Sequence, residues 1–152
     1  MTAAGRHWHG YLWTGSTEEL KKRETGRRPG GLNEVQGFRP ELPPLQTGYY
    51  LRRRPDAGLT WIEVDDVVAW MVTNRERHRP TAREDGTQAW PGLDQRRETT
   101  RDGLLNGVDG WWQYHTGTGT EIVIAAIVCP HSHLRDIACP MPPQTSRPTS
   151  GG

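Results

Sequence analysis

The chain has 152 residues, enough for one domain, but only 33% of them are hydrophobic while glycine and proline number 18 and 12. That composition leaves a small core and much loop, so stability is expected to draw on a partner, an oligomer or a metal. The net charge of +1 argues against a strongly electrostatic nucleic-acid binder, and no run reaches the roughly 18–20 apolar residues that cross a membrane.

The opening stretch, MTAAGRHWHGYLW, lacks the apolar centre of a signal peptide. A cytoplasmic location with both cysteines reduced is therefore expected. Within this stretch, His7 to Trp13 reads as a short strand, and alternation puts His7 and His9 on one face. Ser16 and Glu19 form a capping box, which predicts a short polar helix anchored by Leu20. Residues 25–47 are dominated by glycine, proline and charge and read as a long loop, with a short polyproline segment at Pro40 to Leu45.

Tyr49 to Arg54 and Leu59 to Val64 are predicted to be paired strands around the turn residues Pro55, Asp56, Ala57 and Gly58. Arg52, Arg53 and Arg54 are the dense basic cluster, a candidate phosphate contact or a solvated hairpin end. Asp65 to His78 is the best helix. Val64, Val67, Val68, Met71 and Val72 recur at i, i+3, i+4, i+7 and i+8, with acids at its start and bases at its end. Trp70 lies away from that stripe and needs a cover, either Trp90 folding back or another molecule.

Residues 79–98 read as a second long loop, and one helical turn is expected around Leu104 and Leu105. Trp111 to Thr116 and Ile122 to Val128 then form a predicted hairpin across a glycine-rich turn. The second of these runs has no polar residue and is expected to be a central strand buried on both faces. Residues 141–152 read as a disordered tail, with 1–140 as a single small domain. The expected class is α+β: a small, mainly antiparallel sheet of hairpins packed by one amphipathic helix, with long loops.

The stretch after the central strand carries the chemistry. Cys129, His131, His133 and Cys139 are the candidate metal ligands, and zinc is the ion these residue types suit. Extended chain would put Cys129 and His133 about 13 Å apart, so a shared ion requires a bend at Pro130. The bland alternative is a small buried thiol followed by surface histidines. His7 and His9 enter if their strand lies beside the Pro130 loop, where four imidazoles would converge with His131 and His133. PHSHLRDI resembles part of the H-x-H-x-D-H loop of metallo-β-lactamase-type hydrolases over His131, Ser132, His133, Leu134 and Ile137. Arg135 stands where that family has its aspartate and Asp136 where it has a third histidine, which removes the ligands the resemblance would need.

Three functions remain. The first is a small cytosolic binding or accessory protein that contacts a protein partner or a second copy of itself. Its contact surfaces would carry Trp70, Trp90, Trp111 and Trp112. Seven tryptophans against one phenylalanine is also what a GC-rich genome would encode. The second is a metal-dependent hydrolase built on His131 and His133. The third, less favoured, is a nucleic-acid-associated protein using Arg52, Arg53 and Arg54. Whether the chain is an enzyme is left open by these residues.

Overall fold

A computed structural model describes residues 6–22, 43–44, 47–56, 58–80, 92–116 and 120–143. Most of the expected 25–47 loop, Trp90 and residues 144–152 lie outside the described residues. In chain order the elements are β1 (His7–Ser16), α1 (Thr17–Lys22), a 3₁₀ helix (Thr47–Arg52), β2 (Thr60–Trp61), α2 (Val64–Arg77), α3 (Leu93–Leu105), β3 (Gly110–His115) and β4 (Thr120–Cys129).

Four strands form one sheet in the order β2-β1-β4-β3, every neighbouring pair antiparallel. The architecture is the α+β arrangement expected from the sequence. β4 is a central strand, paired with β3 from Gly110↔Ala126 to His115↔Glu121 and with β1 from His7↔Cys129 to Ser16↔Thr120. Its side chains divide by the two-residue alternation of a strand. Ile122, Ile124, Ala126 and Val128 pack under α2 and α3, with Val64, Val67, Val68, Met71, Leu104, Trp8, Trp112 and Tyr114. Val123, Ala125, Ile127 and Cys129 face the other way, against Tyr11, Tyr50 and Leu51. Ile137, from the chain beyond Pro130, packs onto this second face.

α2 forms where its apolar stripe and charged ends predict, and Val72 is only half-buried. Trp70 is covered from inside by Trp61, the ring centroids 5.2 Å apart, and both pack against the core. Ser16 caps α1, accepting the Glu19 N–H at 2.9 Å.

Two expectations are corrected. Thr47–Arg52 is a 3₁₀ helix where the sequence suggested a strand. Tyr50 and Leu51 are adjacent and pack into the same apolar cluster, which the alternation of a strand does not allow and a helical turn does. β1, and not this segment, is the partner of β2. The expected loop at 79–98 ends early, because α3 begins at Leu93. Its buried face is too sparse to read as a stripe: Leu104 is the one fully buried residue, and Thr100 accepts the Trp112 indole N–H at 3.0 Å. α3 stops at Gly107, whose φ of +84° allows Val108 N–H to reach the Gly103 carbonyl at 2.7 Å. Among the described residues no helix is long and apolar enough to cross a membrane.

Candidate metal centre

The end of the sheet on the face away from α2 and α3 holds four donors. On β1, alternation places His7 and His9 on the same face as Tyr11. Register sets His7 directly opposite Cys129, the last residue of β4. Beyond Pro130 the chain folds back over this face, anchored by Ile137, and brings Cys139 over the pair of imidazoles. One ligand atom from each of His7, His9, Cys129 and Cys139 lies within 4.8 Å of every other.

The distances from Cys139 to the two histidines suit an ion. A tetrahedral centre with bonds of about 2.0–2.3 Å has ligand-to-ligand edges of about 3.3–3.8 Å. Cys139 Sγ is 3.4 Å from His7 Nε2 and 3.6 Å from His9 Nε2. The two imidazoles meet edge to face at a centroid distance of 4.9 Å, and both present Nε2 to the Cys139 sulfur. The other nitrogen of His9, Nδ1, lies 2.9 Å from Thr60 Oγ1, directly across the β1–β2 register. A fixed partner on the far nitrogen orients a ligating imidazole and selects the tautomer that leaves Nε2 for the metal.

Burial defines the electrostatics. His9 is completely buried, Cys129 and His7 nearly so, and Cys139 is exposed. Desolvation, with His7 adding to it, lowers the His9 pKa to about 4, so its ring is neutral at physiological pH. Desolvation, then the Cys139 side chain, pushes the Cys129 thiol up to about 12. A dication bound between two thiolates and two neutral imidazoles is neutral overall, which makes burial of the assembly affordable for the fold and reverses the penalty on the Cys129 thiolate.

Of the four ligands expected from sequence, Cys129 and Cys139 come together here and His131 and His133 do not join them. His131 is buried and bonded at both ring nitrogens. Nε2 lies 2.8 Å from Asp109 Oδ2, while Nδ1 accepts the His133 and Leu134 backbone N–H groups at 3.2 and 3.0 Å. Those two acceptances identify Nε2 as the protonated nitrogen. Asp109 also accepts the Val128 backbone N–H at 2.9 Å and the Thr47 hydroxyl. A cross-link of the 3₁₀ helix, β4 and the Pro130 loop results. Gly48 packs so closely that a Cβ there would stand 2.6 Å from the His131 ring. His133 is exposed on a separate groove.

The other sequence candidates disperse. Trp112 is interior, its indole N–H donated to Thr100. Trp111 is half-buried against Tyr50, its N–H donated to Gln113 Oε1 at 3.0 Å. The three arginines part company. Arg52 lies over the Tyr49 ring, the Arg53 carbonyl accepts the Tyr11 hydroxyl at 2.7 Å, and Arg54 borders a pocket with Ile62 and Met141. His7 and His9 were legible as a pair on one face. What local sequence does not carry is the register that sets them against Cys129. Comparison with protein families, curated proteins and solved structures finds no match to the chain.

Proposed function

We propose that this chain is a zinc-clasped binding domain working in a reducing compartment, the cytosol. One observation carries the reading: His7, His9, Cys129 and Cys139 converge within 4.8 Å at the end of the sheet. Four protein donors of Cys₂His₂ type fill a tetrahedral ion, as in structural zinc sites, whereas a catalytic zinc keeps one position for water. The donor count therefore favours a structural ion over the hydrolase reading. The engagement of both His131 nitrogens also weakens a centre built on His131 and His133. Reduced thiols are required of such a clasp, and the cytosol supplies that condition. The ion ties the first strand to the chain that follows the last one, and so compensates for a small core. The remaining role is contact with a partner, a protein or a second copy. Nucleic acid is less favoured because Arg52 and Arg54 line different pockets.

The test is elemental analysis of protein purified under reducing conditions, together with cobalt substitution. The expected result is one zinc per chain, exchangeable for cobalt with thiolate charge-transfer and tetrahedral ligand-field absorption. His9→Ala and Cys129→Ser lose the ion, while His131→Ala keeps it. A protein that binds no stoichiometric metal, or that keeps it in His9→Ala and Cys129→Ser, would refute the clasp.

A further inference from the structure

We propose, resting on the zinc clasp above, that the site is opened by peroxide: Cys139 is oxidised first, and Cys129 then closes a disulfide that expels the ion. The chain has two cysteines, both free, and the fold brings both into this one cluster. Their sulfurs lie within 4.8 Å of each other, and a disulfide bond is about 2.05 Å long. The remaining approach falls to Cys139. Cys129 ends β4 and is paired with His7, whereas Ala138 and Cys139 lie in exposed chain outside any helix or strand.

Exposure gives the two sulfurs different roles. Cys129 is 1% exposed, while Cys139 is open to solvent. A metal-ligating cysteine is a thiolate, the form that an oxidant attacks, so the clasp presents one reactive sulfur at the surface. The Cys139 thiolate attacks hydrogen peroxide; the O–O bond breaks, hydroxide leaves and a sulfenic acid forms. The Cys129 thiolate then attacks that sulfur; the S–S bond forms, the S–O bond breaks and a second hydroxide leaves. Two electrons pass from the two thiolates to one peroxide. A disulfide offers no thiolate, so the ion keeps only His7 and His9, half of a tetrahedral set. The segments tied together change as well. The ion joins β1, β4 and the returning chain, while the disulfide joins the last two and omits β1.

The test treats the whole zinc-loaded chain with a small excess of hydrogen peroxide. Released zinc is followed with a chromophoric chelator, and the sulfurs are mapped by mass spectrometry of peptides. The expected result is about one ion released per disulfide formed, with Cys129 and Cys139 joined within one chain. Dithiothreitol should restore both thiols and zinc binding. The order of attack is read in chelator, where neither protein carries the ion. There Cys129 should be consumed by peroxide at least about tenfold more slowly in Cys139→Ser than in the wild type. Zinc that stays bound through the treatment, zinc that leaves without the Cys129–Cys139 bond, or a disulfide between two chains overturns the switch and leaves the clasp standing. Equal consumption of Cys129 in the two proteins overturns Cys139 as the first sulfur. Zinc content is measured before peroxide is added, and a chain without zinc at that stage overturns the clasp and the switch with it.

Discussion

Cys139→Ser separates a metal clasp from a chance gathering of side chains, because Cys139 is the exposed member of the four. Its sulfur meets His7 and His9, and it belongs to neither apolar cluster of the core. Without an ion, exchanging sulfur for oxygen at such a position should move stability by no more than about 0.5 kcal/mol. With one, free zinc at about a thousandfold over its Kd contributes about 4 kcal/mol to folding. A serine hydroxyl replaces a thiolate poorly, and a hundredfold or greater loss of affinity at that zinc level removes about 2.7–4 kcal/mol. At roughly 2–4 °C per kcal/mol for a chain of this size, the melting temperature should fall by about 5–16 °C. The assay is thermal unfolding by circular dichroism, with a phosphine reductant present to keep the thiols from pairing, in added zinc and in chelator. The wild type and the variant should coincide in chelator, and zinc should raise the variant by no more than about 1.4 kcal/mol, or roughly 3–6 °C. If Cys139→Ser melts within about 1 °C of the wild type in zinc, the ion contributes nothing and the clasp is wrong.

Thr60→Val keeps the shape beside His9 but removes the partner of Nδ1. Zinc affinity should fall about 10–100-fold, measured by competition with a chromophoric chelator, and unchanged affinity would mean that Thr60 does not orient the ring. Met71→Ala empties a fully buried site and should cost about 2–5 kcal/mol in denaturant unfolding. Trp70→Ala, half-buried on Trp61, should cost less, about 1–3 kcal/mol; the reverse ranking would make Trp70 the core residue. The metal-free protein should be most stable between the two shifted groups. The His9 pKa is depressed from 6.5 to about 4, so its contribution of about 3 kcal/mol or somewhat more is present above pH 6.5 and lost as pH falls toward 4. The Cys129 pKa is raised from 9.0 to about 12, so its contribution is present below pH 9 and lost as pH rises toward 12. Urea midpoints measured across pH in chelator check both limbs, and a flat acid limb would contradict the burial of a neutral His9. When zinc binds at neutral pH, at least the Cys129 proton must leave, so calorimetry in buffers of different ionisation enthalpy should report its release.

Local pattern was enough for the parts of this fold that obey a single period. The β-branched run of β4 and the stripe of α2 are each consistent over several residues, and both elements stand where that consistency places them. Tyr50 and Leu51 defeated the strand expectation because two adjacent apolar residues have no unique period, and packing onto Ile127 and Cys129 decides for a helical turn. α3 was hidden for a related reason. Its inward residues are Leu104 and a threonine that bonds an indole, which read as polar noise in a linear sequence. Half of the candidate centre could be named from chemistry, Cys129 and Cys139, and a bend at Pro130 was foreseen as the condition for their meeting. The other half depended on which strand lies beside β4. Backbone pairing between segments so far apart leaves no local trace in the residues, so the histidines nearest in sequence, His131 and His133, were the natural but unassembled choice.

The place of β1 between β2 and β4 has a consequence for how the molecule comes into being. β4 follows every other described strand along the chain, yet it is the inner neighbour that β1 requires. His7 and Cys139 are separated by 132 residues, which a ribosome takes roughly 7–26 s to polymerise. Until β4 is made, β2 can pair one edge of β1, but the edge that β4 will take stays open to other nascent chains or chaperones. The sheet therefore cannot be completed until the last described strand has emerged. It closes after synthesis of β4, and Cys139, the last of the four candidate donors, is made later still.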